Sequence, residues 1–554
     1  MISGRWTSAG SRWPETMWRF RLKPLRVAGA LLIGGGLAVA LVDFREAVPA
    51  AVGHWLASVQ FLPAAIGTAT GMGLAALAAL AGVLALTLLF GRVYCSVICP
   101  LGVMQDVVAR LGGWTRGSAV KLPHAKPHDW LRYGFLGLTL AGMLAGWSGL
   151  TLALLDPYSN FGRIVTGLCR PLVVMANNAL VGLGEWLEFP LLYRVEPPWL
   201  ELGAVVLPAV MLLLIGGLAL WRGRLFCNTV CPVGTVLGLV ARKAAWRLTI
   251  RRAACVKCGD CLRVCKAQCI DLRTGTIDAS RCVACFNCIS ACEEQGVEHE
   301  YAWTRAPAVE EESEERDTEG EPELEPTAPR SSRPADPGRR TFLAGATVVM
   351  TARTVPDLTT TVTSPPDPNA SSAVCPPGAY SLDRYLNRCT ACQLCVSACP
   401  THVLQPALLE YGFAGWLRPR LDFQKSFCNF DCIRCGEVCP TGAITRLALP
   451  EKQVTRIGRA VLQLDLCVVK RDGTECAACS EHCPTKAVET VPYRDNLRLP
   501  EVKAELCIGC GACEFACPVV PEKAIKVTGR RRHELAEKAV EAKPVQPATG
   551  DFPF

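Results

Sequence analysis

The sequence predicts two architectures in one chain: an α-helical membrane domain of four transmembrane helices, followed by small α+β domains folded around cysteine loops. Three observations carry that expectation. Half of the 554 residues are apolar, and the excess lies in the first 221. The chain holds 31 cysteines, most of them after Trp221. Between two cysteine-rich regions runs an acidic, proline-rich stretch. Apolar spans, metal-ligand spacing and a solvated linker are different composition classes, so several domains are expected.

Four apolar stretches predict the spans: Val27–Val42, Thr68–Phe90, Tyr133–Leu155 and Leu202–Trp221. The last three are 23, 23 and 20 residues long without a charge, near the ~20 that cross a bilayer. The first has 16 residues and extends through Leu25 and Pro24. A cleaved signal peptide is the competing reading, but Asp43-Phe44-Arg45-Glu46 does not resemble a cleavage site. Residues 1–26, 91–132 and 222–252 carry six, six and seven Lys/Arg, whereas 43–67 has only Arg45. Segment 156–201 has three bases against five acids. This alternation predicts an inner-membrane, multi-pass protein with residues 222–302 in the cytoplasm. Segment 171–193 is apolar but holds Asn177, Asn178, Glu185 and Glu188, which predicts an interfacial helix. The net charge of +8 maps onto loops at one face and argues against a nucleic-acid partner.

At the inner ends of spans two and four lies a repeat, Tyr94-Cys95-x3-Cys99-Pro100-Leu-Gly and Phe226-Cys227-x3-Cys231-Pro232-Val-Gly. Thiols four apart share one face if the helix runs on to the proline. Buried structural thiols are the plainer reading. The sharper one makes Cys95, Cys99, Cys227 and Cys231 a redox or metal site of four soft ligands.

Six further motifs follow. Cys255, Cys258, Cys261 and Cys265 precede Cys282, Cys285, Cys288 and Cys292. After the linker come Cys389, Cys392, Cys395 and Cys399, then Cys428, Cys432, Cys435 and Cys439. Cys467, Cys476, Cys479 and Cys483 precede Cys507, Cys510, Cys513 and Cys517. Three cysteines on one short loop aim three thiolates at three irons of a cubane, and the fourth reaches the partner cluster. Zinc sites use separated pairs instead. The spacing therefore predicts bacterial-ferredoxin-like domains with six [4Fe-4S] clusters and these 24 cysteines as iron ligands. The motifs at 255 and 282 are expected to form one pair. In the C-terminal part the first motif is expected to pair with the last, and the two middle motifs with each other. The long Cys467-x8-Cys476 interval predicts an inserted loop. Cys169, Cys269 and Cys375 are left as ordinary thiols.

Glu310–Glu325 holds ten acids against one base, a composition that does not fold on its own. Arg339-Arg340-Thr341-Phe342-Leu343-Ala344-Gly345 then resembles a twin-arginine export signal; two surface arginines before a loop are the alternative. The expected organisation is a membrane domain (1–250), a two-cluster domain (251–302), a linker (303–340), a twin-arginine-like segment (341–378), a four-cluster domain (379–530) and a tail (531–554).

With those residues in view, 1–300 resembles the NapH-type membrane polyferredoxin, and 339–527 the NapG-type four-cluster ferredoxin, of the periplasmic nitrate reductase electron-transfer family. The first likeness rests on the spans and the paired Cys-x3-Cys-Pro motifs. The second rests on RRTFLAG, CTACQLCVSACP, CIRCGEVCPTGAI, CAACSEHCPTKAV and CIGCGACEFACP. Lys266 and Glu293 stand where the usual proline would follow the cysteine. The resemblance implies a quinol dehydrogenase-like subunit that draws on the membrane quinone pool and serves a separate redox protein, such as a cytochrome or a molybdenum reductase. It also favours a periplasmic C-terminal domain, against a stretch at 341–363 that is short for a span. A metal-reducing assembly factor for a respiratory oxidase and a redox sensor are the alternatives. No haem-attachment motif, dinucleotide fingerprint or P-loop is present, so the final acceptor belongs to another protein. Asp156 is a candidate for accepting a quinol proton, with an interfacial cap as its alternative.

Overall fold

The computed structural model describes residues 15–116, 126–144, 151, 154–188, 192–195, 202–303, 370–371, 373–412 and 415–538. The acidic linker, most of the twin-arginine-like segment and the end of the tail lie outside the described residues.

The apolar N-terminal part is helical because its Leu, Ala and Val runs carry few breakers and no period-two alternation. Helix α1 (Glu15–Ala30) continues through a π-helical turn, Leu31–Gly35, into α2 (Gly36–Val42). Two short helices follow, α3 (Ala50–Ser58) and α4 (Phe61–Ala69), then α5 (Leu74–Phe90). The first cysteine pair joins α6 (Val93–Val97) to α7 (Pro100–Arg116). Next come α8 (Asp129–Leu144), α9 (Pro157–Ile164), a second π turn at Val165–Cys169 and α10 (Arg170–Trp186). Helix α11 (Leu202–Arg222) leads to the second cysteine pair between α12 (Leu225–Thr229) and α13 (Pro232–Ala241).

Among the described residues, three helical stretches are long and apolar enough to cross a membrane: Leu22–Val42, Pro157–Trp186 and Ala204–Arg222. Two of them coincide with the predicted first and fourth spans. The predicted second span is α5, of 17 residues; it starts at Leu74 because a turn separates it from α4. The predicted third span begins as α8, and residues 145–150 beyond it lie outside the described part. Segment 171–193, expected as an interfacial piece, belongs mainly to the 30-residue helix Pro157–Trp186.

Loop 43–67, which reads as a plain connection, folds inward instead. Gln60, at the bend between α3 and α4, is fully buried. Its Nε2 donates to Ile98 O (3.3 Å), and Tyr94 Oη donates to its Oε1 (3.1 Å). Phe61 N donates to Tyr94 Oη (2.9 Å). A buried amide side chain needs such partners, and here they lie on the first cysteine loop.

The first cysteine domain is closed by β1 (Trp246–Ile250) pairing antiparallel with β4 (Val297–Tyr301), around a hairpin of β2 (Ile270–Asp271) and β3 (Thr276–Ile277). In the C-terminal domain, β5 (Ala370–Ser371), β11 (Ile525–Leu535) and β8 (Thr455–Leu462) form a sheet with β11 in the centre. Two hairpins flank it, β6 (Leu404–Pro406) with β7 (Pro419–Leu421), and β9 (Val488–Pro492) with β10 (Arg498–Val502). These strands tie together the ends of otherwise irregular cysteine loops.

The two cysteine-rich domains dock at opposite ends of α5 and α11. At the starting ends, Leu207 packs with Ala391 and Leu417, and a Cβ on Gly442 would lie 2.8 Å from Met72 Sδ. Nearby, Ser397 Oγ donates to Leu41 O (2.5 Å) and Arg434 pairs with Glu46 (2.5 Å). At the finishing ends, Ala245 N donates to Leu88 O (2.8 Å) and Arg224 N to Lys266 O (3.0 Å). The 17 residues of α5 put roughly 25 Å between those ends.

Candidate iron–sulfur centres

In four of the six cysteine loops the second cysteine is flanked on both sides by left-handed residues: Lys257 and Gly259, Ala284 and Phe286, Ala391 and Gln393, Gly509 and Gly511. A non-glycine residue there costs roughly 1–2 kcal/mol. The reversed curvature wraps three thiols around one point, so the strain is local and buys a binding shape. The loops with longer first intervals reach a similar curl otherwise; a short helix, Val468–Arg471, fills the interval between Cys467 and Cys476.

Each loop is completed by a cysteine of its neighbour in sequence. Cys399 joins Cys428, Cys432 and Cys435 around about 370 Å³ of open space, and Cys517 joins Cys467, Cys476 and Cys479 around about 350 Å³. Cys439 faces Cys389, Cys392 and Cys395, and Cys483 faces Cys507, Cys510 and Cys513. Cys292 lies by Cys261, which neighbours Cys255 and Cys258; Cys265 lies by Cys282, Cys285 and Cys288. The expected pairing of first with last and middle with middle is therefore corrected: the first motif pairs with the second, and the third with the fourth. The reason is local. Each fourth cysteine follows a helix of only four or five residues, such as Leu394–Ser397 or Arg434–Val438, and the helices of adjacent motifs pack on each other. The two C-terminal pairs still touch, through Cys428 N donating to Cys510 O (2.9 Å).

These thiols surround voids. Among the described residues, no group of three or more His, Cys, Asp or Glu converges as one metal ion requires. Four sulfurs spaced around a void fit a cubane rather than a tetrahedral zinc. Burial pushes the Cys392, Cys479 and Cys510 thiols up to about 12, so loading iron must expel their protons.

The Cys-x3-Cys-Pro pairs build a different site. Cys95, Cys99, Cys227 and Cys231 are each 3% exposed and share one core. The expected single helix face is not what forms. Helix α6 ends at Val97 and a new helix starts at Pro100, so Cys99 sits at a corner and accepts from Gly102 N. Cys231 does the same for α13, accepting from Gly234 N at 3.3 Å. Two buried arginines cross-link the halves. Arg92 reaches Cys95 Sγ (3.7 Å) and Cys227 O (3.1 Å), while Arg224 donates to Cys95 O (2.7 Å) and pairs with Asp106 (2.9 Å). The four sulfurs interact electrostatically with one another. Arg92 also donates to Ser280 O (3.1 Å), two residues before Cys282. On the opposite side Tyr94 neighbours Asp156, and Tyr158 faces Cys392. The arginines escaped the sequence reading, although the repeat extends to Gly-Arg-x-aromatic-Cys at 91–95 and 223–227.

Of the remaining thiols, Cys169 is exposed, Cys375 lies 3.1 Å from His533 Nε2, and Cys269 sits 3.8 Å from Cys265 Sγ. Cys269 thus borders a candidate centre. Asp156 caps α9, its Oδ2 accepting from Ser159 N and Oγ at 2.7 Å each.

Comparison with known proteins agrees with this chemistry. A family described as "4Fe-4S binding domain" matches residues 72–118 and 203–251, each stretch holding one Cys-x3-Cys-Pro pair. A "4Fe-4S dicluster domain" matches 388–444, and a further "4Fe-4S binding domain" matches 498–519. The loops and their matches define an iron–sulfur protein of the ferredoxin type. The chain belongs to the family of ferredoxin-type proteins that includes MauM and NapG. It is 34% identical to the methylamine utilization ferredoxin-type protein MauM of Methylorubrum extorquens over 168 residues, 29% of this chain and 74% of that protein. It is 33% identical to the ferredoxin-type protein NapG of Escherichia coli K12 over 162 residues, 27% of this chain and 68% of that one. The ferredoxin-type protein NapF of the same strain is 29% identical over 150 residues, 27% of this chain and 83% of that protein. No solved structure matches the chain.

Proposed function

We infer that this chain is a membrane-bound electron-transfer protein, a quinol dehydrogenase-like subunit that oxidises quinol and passes the electrons through [4Fe-4S] clusters to a separate redox protein. The observation that carries this reading is the thiol quartet of Cys95, Cys99, Cys227 and Cys231, buried between two cysteine-rich domains at opposite helix ends. In this reading the 24 cysteines of the six loops ligate six clusters, and the quartet holds a seventh redox centre. The clusters supply one-electron acceptors; the protein's own work is to space them, keep water out and cross-link the quartet through Arg92 and Arg224. The basic loops favour the cytoplasmic side for residues 222–302. Docking of the four-cluster domain at the other helix ends then favours the periplasmic face of the inner membrane for it, as does the twin-arginine-like segment. The matches to the ferredoxin-type proteins NapF, NapG and MauM support a separate redox partner protein.

The test is anaerobic purification of the full chain followed by addition of a short-chain quinol. About 28 irons per chain are expected, about 24 if the quartet is empty, with cluster bleaching on quinol addition. Fewer than about 8 irons, or clusters that quinol leaves oxidised while dithionite reduces them, would sink this reading.

A further inference from the structure

A cleft lies where the helices meet the first C-terminal cysteine loop. One wall is the π turn after α9, with Thr166 and Gly167; another is the start of α11, with Ala204 and Pro208; the third is the cysteine loop, with Gln393 and Leu417. Sites for small organic ligands are mostly apolar with a few placed polar groups. This lining has that character.

Three polar atoms of the lining residues have no hydrogen-bond partner among the described residues. Thr166 Oγ1, Gln393 Oε1 and Arg170 Nε are buried without a hydrogen bond. Gln393 is 5% exposed and Arg170 4%. Gln393 Nε2 donates to Leu417 O (2.8 Å), which fixes the amide and leaves Oε1 as the unpaired end. A helical threonine ordinarily bonds its hydroxyl to the carbonyl one turn back, as Thr87 does here (2.8 Å). Thr166 does not, because it stands in a π turn, a feature frequent at functional sites. Unsatisfied buried polar groups are costly, and these three belong to residues that line one cleft.

A membrane quinol matches this lining, since its ring is apolar and its two redox states offer a hydroxyl donor and a carbonyl acceptor. We propose that this cleft is where the head group of a membrane quinol binds. Gln393 Oε1 accepts from a quinol hydroxyl, and Arg170 Nε and Thr166 Oγ donate to the oxygen of the quinone. Gln393 directly follows Cys392, so the ring lies beside the loop of Cys389, Cys392 and Cys395. Oxidation breaks both O–H bonds of the quinol; the two protons pass to water, and a cluster held by Cys389, Cys392, Cys395 and Cys439 would accept the two electrons one at a time for relay to the redox partner. This site rests on the quinol-oxidising reading above.

The test uses the full-length holoprotein and a short-chain azido-quinone, irradiated after equilibration in the dark, with labelled peptides mapped by mass spectrometry. Label is expected within residues 163–170 and 393–406. Thr166→Val, which adds no bulk, should weaken binding about tenfold through loss of one hydrogen bond. Ala204→Phe, which fills the cleft, should abolish labelling, with iron content unchanged in both. Label elsewhere, or equal labelling of the wild type and both variants, overturns the site. If quinol bleaches the clusters of wild type and Ala204→Phe at the same rate, the quinol reading stands and this site falls. If label maps to the cleft but quinol bleaches nothing, the site stands and the oxidation reading falls.

Discussion

Gly102 and Gly234 show how closely the two halves of the thiol quartet approach. A Cβ on Gly102 would lie 2.2 Å from Cys95 O and 2.5 Å from Arg224 Nη1; on Gly234 it would lie 2.3 Å from Cys227 O and 2.7 Å from Arg92 Nη2. The glycine of each Cys-Pro-apolar-Gly motif is therefore a packing requirement. If the quartet holds a cluster, Gly102→Ala or Gly234→Ala should displace an arginine and cost it that cluster, taking iron from about 28 to about 24 per chain with the ferredoxin loops still loaded. Unchanged iron in both variants would count against the quartet as a metal site. His533 illustrates a second residue-scale effect, outside the membrane. Burial holds its imidazole down at about 4, below the ordinary 6.5. The unfolded chain therefore takes up the proton first, so His533 leaves stability intact above pH 6.5 and removes it as pH falls toward 4. His533→Asn should flatten the loss of denaturant midpoint between pH 7 and pH 5, by on the order of 1–2 kcal/mol. A variant with the wild-type pH profile would show that the imidazole does not titrate on unfolding.

At the scale of elements, the cysteine loops were legible because a run of Cys-x2-Cys-x2-Cys-x3-Cys constrains three ligands by spacing alone. What spacing leaves open is which loop donates the fourth ligand. That depends on short helices packing side by side, and adjacent motifs win because little chain separates them. Ala284 and Phe286 adopt left-handed backbone with no glycine to announce it. The inward fold of α3 and α4 was also hidden, since neither is long enough to stand out and the buried Gln60 resembles any loop glutamine. The pairing makes a direct prediction. Cys399→Ser should remove the same EPR signal as Cys428→Ser, and Cys439→Ser the same signal as Cys389→Ser. A Cys399→Ser spectrum matching Cys510→Ser would restore the pairing of first motif with last.

For the whole molecule, the quartet has a neighbour on each side: Ser280, through Arg92, toward the loop of Cys282, and Tyr94, Asp156 and Tyr158 toward Cys392. If the quartet is a redox centre and the four-cluster domain lies outside, the two cluster domains form one circuit across the helices. Electrons entering the C-terminal clusters then reach the N-terminal pair only through the quartet. In sealed right-side-out vesicles, dithionite added outside should reduce the C-terminal clusters at once and the N-terminal pair after a delay. In Cys95→Ser vesicles the C-terminal clusters should respond as before, while the N-terminal pair stays oxidised until the vesicles are opened. Serine keeps the volume and a polar group at position 95, so the ferredoxin loops should still assemble, and the spectra of opened vesicles check this. Equal reduction of both domains in Cys95→Ser would show that the quartet is structural. Reduction that begins with the N-terminal pair would reverse the assigned sides, because the reductant reaches first whatever faces it.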